Sequence, residues 1–160
     1  MARGIDFLIT YRVVKMLITP FEKTEAFKRG IIDNKGKVLI KYRNVIKQSD
    51  KKHYTLLHRF VFNLKRILQK VGLGSKLGSF AVALALLIKE DRSYAKYKDA
   101  IESGVILYLK EQNEYDKLLN EEGDIPELNI EQEPYMTCFG IDVYERGDEL
   151  VSETEYAQTL

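Results

Sequence analysis

"HYTLLHRFVFNLKRILQKVGLGSKLGSFAVALALLIKE", residues 53–90, is the stretch on which the fold turns. In its first half Leu57, Phe60, Val61, Leu64, Ile67, Leu68 and Val71 recur at the i, i+3, i+4, i+7 spacing of one apolar helix face. Ser49 or Asp50 is placed to cap that helix. In the second half, Gly78, Ala81 and Ala85 share one side of a helix and Phe80, Leu84, Leu87 and Ile88 another, so this helix is apolar almost all round and belongs inside the protein. The linking "KVGLGSKLGSF" has the glycines of a phosphate loop, but its spacing fits neither the dinucleotide fingerprint nor the P-loop, and a helix precedes it where those motifs need a strand. Gly72 or Gly74 as a helix C-cap and Ser75 as the next N-cap make it the turn of an antiparallel helical hairpin spanning about 50–90.

A second line runs along the first helix. Steps of about 100° per residue bring Lys52, Arg59, Asn63, Arg66 and Lys70 onto one narrow side, with Lys47 and Lys51 just before them. Lys52, Arg59, Arg66 and Lys70 are therefore the candidate anion- or partner-binding residues. Phosphates of a nucleic acid, an acidic protein surface, this chain's own acidic half and plain solvent all suit such a stripe. The acidic half is real: residues 1–89 carry 19 Lys and Arg against 5 Asp and Glu, a net +14, and residues 90–160 carry 6 against 19, a net −13.

Outward from the hairpin, residues 5–18, "IDFLITYRVVKMLI", read as a helix apolar on more than one side, buried from two directions or by a partner. "TPFE" reads as a helix start, with Thr19 as N-cap, Pro20 at the first helical position and Glu22 closing a capping box; that helix runs through Phe27 and stops at Gly30. β-branched residues on both sides of Asp33-Asn34-Lys35-Gly36 predict a small β-hairpin over about 30–42. Beyond Glu90 the chain is acidic and helical, with a break expected at Gly104 and with Leu107, Leu109, Leu118 and Leu119 contributing to the core. "GDIPELNIEQEP" reads as an extended linker. The end offers a hairpin turning at Arg146-Gly147-Asp148 and an acidic tail expected to be ordered by a partner. The expected class is α+β, mainly α: a basic helical lobe with the β-hairpin over 1–91, an acidic helical region over 92–122 and an extended or β-hairpin acidic tail over 123–160.

Composition narrows the chemistry. With 160 residues, 45% hydrophobic and 31% charged, the chain suits one globular domain or two lobes sharing a core. The single Cys138 offers neither an internal disulfide nor a thiolate cluster and reads as a small buried hydrophobe in a reducing compartment. The longest uncharged run, Leu77 to Ile88, falls short of the roughly 20 residues of a membrane span. Asp6, Arg12 and Lys15 interrupt the apolar start, which reads as the first helix and not as a leader. His53 and His58, five apart, do not share a helix face and lack partners at metal-ligand spacing. Glu121, Glu122 and Asp124 read as a solvated acidic face, and no nucleophile-elbow or kinase signature is present. No cofactor is expected.

The stretches "YRVVKMLITPFEKTEAFKRGIIDNKGKVLIK" and "YTLLHRFVFNLKRILQKVGLGSKLGSFAVALALLIKED", in that order, resemble a family of small proteins of tailed, myovirus-like bacteriophages. The resemblance covers about residues 5–91 and carries no defined site. It implies a non-enzymatic virion structural or capsid-assembly subunit, made in the host cytoplasm and located in the virion. Its partners would be other phage structural proteins or copies of itself, with DNA as an alternative and no membrane.

Overall fold

The structure, a computed structural model, describes residues 4–70, 76–122 and 130–158. Along the chain lie helices α1 (Gly4–Ile18), α2 (Glu25–Lys28), α3 (Gln48–Lys51), α4 (Leu56–Gln69), α5 (Lys76–Glu90), α6 (Lys98–Glu111) and α7 (Tyr115–Glu122). Strands β1 (Met136–Cys138), β2 (Ile141–Arg146) and β3 (Glu149–Ser152) and a last helix, α8 (Glu153–Gln158), complete it. This is a mainly helical α+β fold. No described helix is long and apolar enough to cross a membrane.

Helix α5 is the axis. Leu77, Phe80, Ala81, Leu84, Ala85, Leu87 and Ile88 are all buried, and the helix packs against α4, α7 and all three strands. Gly78, Ala81 and Ala85 are among its buried residues. On the other side of α4 lies a second cluster of Phe21, Ala26, Ile31, Ile32, Val45, Tyr54 and Phe62. Helix α4 is thus gripped twice, Leu57, Val61 and Leu64 facing the main core and Phe62 the smaller one.

The hairpin is shorter than the expected 50–90, since α4 begins at Leu56 and not near residue 50. Thr55 explains the start: its hydroxyl accepts the His58 N–H while His58 Nδ1 accepts the Thr55 N–H, a reciprocal capping box with a histidine in the usual Glu/Gln place. Gln48–Lys51 forms the separate α3, with Lys47 and not Ser49 or Asp50 at its cap. The linking loop with Gly72, Gly74 and Ser75 lies outside the described residues.

"TPFE" also resolves differently. Pro20 caps a single 3-10 turn, Phe21–Lys23, which turns Phe21 into the smaller core, and the helix proper starts only at Thr24, whose hydroxyl accepts the Phe27 N–H. The Thr19 hydroxyl instead donates to the Lys15 carbonyl at 2.6 Å, closing α1. The expected β-hairpin over 30–42 reduces to one bridge, Ile32 with Val38. Its turn is as expected, but the Asp33 carboxylate accepts the Lys35 and Lys37 N–H groups at 2.9 and 2.8 Å, and both Leu39 and Ile40 donate to the Ile31 carbonyl. A side chain has taken the donors that a strand ladder needs. Gly36, at φ +82°, lies so close beneath the Phe21 ring that a Cβ would overlap it.

Gly104 does not break α6. It marks the closest approach to α1, where an added Cβ would stand 3.1 Å from the Thr10 carbonyl oxygen and 3.4 Å from Val13. Leu109 and Leu118 are core residues as expected, whereas Leu107 is 46% exposed because α1 occupies a different side of α6. The side chains of Leu119, Glu121 and Glu122, together with Asp124 and linker residues 123–129, lie outside the described residues.

The acidic end forms a sheet and a last helix. β1, β2 and β3 form an antiparallel sheet in that order, with Val143 opposite both Met136 and Ser152, and the β2–β3 turn lies at Gly147-Asp148 with Gly147 at φ +64°. Cys138, Ile141, Val143 and Leu150 enter the same core as Val13, Leu84, Ile101 and Leu118. Residues 1–91, 92–122 and 123–160 therefore share one core, and the acidic end packs directly on the basic lobe's central helix.

Candidate functional site

A concavity lies where the loop after the Ile32–Val38 bridge crosses α4 and the end of α5. It is a groove of about 490 Å³, lined by Val38, Lys41, Tyr42 and Arg43 from the loop, Tyr54 before α4, Leu56, Arg59, Phe60, Asn63 and Arg66 from α4, and Ala83, Leu86, Leu87 and Glu90 from α5. Seven residues separate Arg59 from Arg66, so two helical turns carry both guanidiniums to the same side of α4.

Each arginine is partly committed. The Arg59 guanidinium sits over the Tyr42 ring, 4.6 Å from its centroid, and reaches the Glu90 carboxylate at 3.4 Å. Arg66 donates from Nη1 to the Gly36 carbonyl at 2.7 Å, which ties the turn to α4. Burial lowers the Arg66 pKa, yet a guanidinium keeps its charge in proteins. Tyr54, stacked on Phe62 and tilted against Tyr42 with ring centroids 6.2 Å from each, has its phenol pushed up by burial. Among the described groove residues there are four cations, Lys41, Arg43, Arg59 and Arg66, against one carboxylate, Glu90.

Part of the lining is apolar and exposed. Val38, Tyr42 and Leu86 line the groove and are large and exposed, and Leu39, Ile40 and Ile46, along the same stretch of chain as Val38 and Tyr42, are exposed as well, Ile46 at 82%. Single exposed aliphatics are ordinary, but several in the lining of a concave cationic site and in the segment that supplies it are the composition of an interface, with aromatic and arginine anchors at its centre.

Of the four candidate residues the structure brings together two. Arg59 and Arg66 line the groove; Lys52 terminates α3 ahead of the α4 start and Lys70 terminates α4, both exposed and neither lining the groove. Lys41 and Arg43 join instead. Their signal was available as the cation-aromatic-cation triplet Lys41-Tyr42-Arg43, concealed by reading residues up to about 42 as a β-hairpin. Arginine forks and tyrosine faces suit carboxylate or phosphate oxygens, and the aliphatic floor suits a partner's apolar side chains.

The histidines meet after all. The turn at 52–55 lets His53 and His58 line one pocket of about 410 Å³ with Lys15, Lys23 and Glu25. Burial first, then the charge of Arg12 and the neighbouring His53, push the His58 pKa down to about 4. Because Nδ1 accepts the Thr55 N–H, the neutral ring carries its proton on Nε2. No group of three or more His, Cys, Asp or Glu fit to hold a metal occurs among the described residues. Cys138 is buried and its thiol is pushed up to about 12 by that burial. No family model, no curated protein and no solved structure matches the chain.

Proposed function

We propose that the chain is a non-enzymatic structural or assembly subunit that works by protein–protein contact, docking a partner in the groove between the 38–46 loop, α4 and α5. The resemblance of residues 5–91 to small tailed-phage proteins makes a phage particle its setting. The observation that carries the reading is that exposed Val38, Tyr42 and Leu86 line the groove together with Arg59 and Arg66. A partner that sets aliphatic side chains against Val38 and Leu86 and offers carboxylates to the cations satisfies both features.

A nucleic-acid reading is favoured by one observation, the four cations of the groove. It is disfavoured by the exposed apolar side chains of the lining: phosphates gain nothing from Val38 and Leu86.

The test uses the rim. Leu39→Asp with Leu86→Asp, both at exposed sites, is expected to leave thermal unfolding nearly unchanged and to remove the chain from purified particles or from complexes with head or tail proteins. Undiminished incorporation contradicts the reading. Strong, salt-sensitive duplex binding that is lost with Arg59→Ala and Arg66→Ala would replace it with the nucleic-acid one.

A further inference from the structure

The histidine pocket is a separate place from the groove. It is walled by the end of α1, the Phe21–Lys23 turn and α2 on one side and by His53 and α4 on the other, and the two concavities share no lining residue. Its volume of about 410 Å³ lies in the range of small-molecule sites. Its charges are unevenly answered. Lys15 and Lys23 are exposed, and neither ammonium meets a carboxylate, an acceptor or a ring among the described residues. Glu25, the one carboxylate in the lining, is engaged with Lys28 Nζ at 3.6 Å and Arg29 Nε at 3.5 Å.

His58 adds a neutral donor. With Nδ1 accepting the Thr55 N–H, its proton sits on Nε2, and among the described residues no acceptor meets that N–H. Burial first, then the charge of Arg12 and His53, hold this ring neutral, and no carboxylate opposes them. The part due to charge is a positive potential at the ring, and a potential that repels a proton attracts an anion. Met16 and the Phe62 ring, 5.9 Å from the His58 ring, make the apolar part of the wall.

We propose that this pocket binds a small phosphate monoester, its oxygens accepting from the Lys15 and Lys23 ammonium groups and the His58 Nε2–H and its organic body lying against Met16 and Phe62. Charge decides for phosphate over carboxylate. A monoester carries about −1.5 to −2 near neutral pH and answers both ammonium groups, whereas a single carboxylate leaves one of them unanswered. Three terminal oxygens likewise match three donors, and the flexible lysine stems let both ammonium groups close on them. The apolar wall decides for an ester over the bare ion, because inorganic phosphate gains nothing from Met16 or Phe62. His58 remains a donor throughout, since at neutral pH the ring carries one proton.

Phenyl phosphate, inorganic phosphate and benzoate, each titrated into the full chain at pH 7 and constant ionic strength while the His58 ring resonance is followed, test the site. The signal is expected to saturate with phenyl phosphate at a Kd of roughly 1 mM or tighter, with inorganic phosphate weaker and benzoate weakest. Lys15→Ala with Lys23→Ala, both at exposed positions, should weaken phenyl phosphate at least about tenfold while the free chain unfolds at its unaltered temperature. Four results would each overturn the proposal: a ring signal that responds no more to phenyl phosphate than to sodium chloride, a double variant that binds as tightly as the unaltered chain, benzoate binding as well as the ester, or inorganic phosphate doing so.

Discussion

Helices α1 and α5 are alike in length, 15 residues each, and both are apolar on more than one side, yet they end in different circumstances. The molecule surrounds α5 with α4, α7 and the sheet, whereas α1 is covered along Val13, Leu17, Ile9 and Met16 and leaves Phe7, Leu8, Tyr11 and Ile18 exposed. Composition sets how much burial a helix calls for; topology decides whether its own chain supplies it. The groove rim repeats the second case, for Leu39, Ile46 and Leu86 are as apolar as the core and lie outside it.

The contrast breaks most visibly at α5. Phe80 is fully buried and meets Phe139 edge-on at 6.2 Å, so Phe80→Ala is expected to cost about 3–5 kcal/mol in denaturant unfolding. A loss below about 1 kcal/mol, the scale of an ordinary surface change, would deny α5 its central place.

The covered edge of α1 gives the next largest effect. His58 shares its pocket with Lys15, Met16 and Thr19 of the α1 end, and its folded pKa of about 4 lies below the ordinary 6.5. Between those values the unfolded chain binds the proton and the folded one does not, so the stabilisation is complete above pH 6.5 and is lost as pH falls through about 4. The full loss is on the order of 3 kcal/mol. Urea midpoints measured across that range should fall with acid, and His58→Gln should flatten the profile; an unaltered slope would mean that the ring is not desolvated.

At Gly104, substitution by Val pushes Cβ and its methyls towards the Thr10 carbonyl and Val13, with about 1–3 kcal/mol lost in thermal unfolding. The smallest effect is expected on the open side of α1. Ile18→Lys should alter stability by no more than about 0.5 kcal/mol in thermal unfolding. A larger destabilisation would show that Ile18 is covered by its own chain.

The residues that announced themselves in the sequence were those governed by a regular period. The α4 stripe and the all-round apolar α5 were legible because helical spacing alone sorts their side chains, and the Gly147-Asp148 turn because alternation on both sides brackets it. Competition between local hydrogen bonds was not legible. Whether Thr19 or Thr24 caps, whether Asp33 captures the N–H groups of a would-be strand, and whether Thr55 starts α4 ahead of Asp50 depend on where Phe21, Ile31 and Tyr54 are drawn by the smaller core. The site was half legible for the same reason: Arg59 and Arg66 share a helix and so keep their spacing, while Lys41 and Arg43 arrive through a loop whose path is tertiary.

The central claim is that the exposed apolar side chains at the groove are where the proposed partner docks. Leu86→Asp tests it most directly. The variant is expected to unfold at nearly the unaltered temperature and to be lost from purified particles or from complexes with head or tail proteins. Undiminished incorporation would contradict the account.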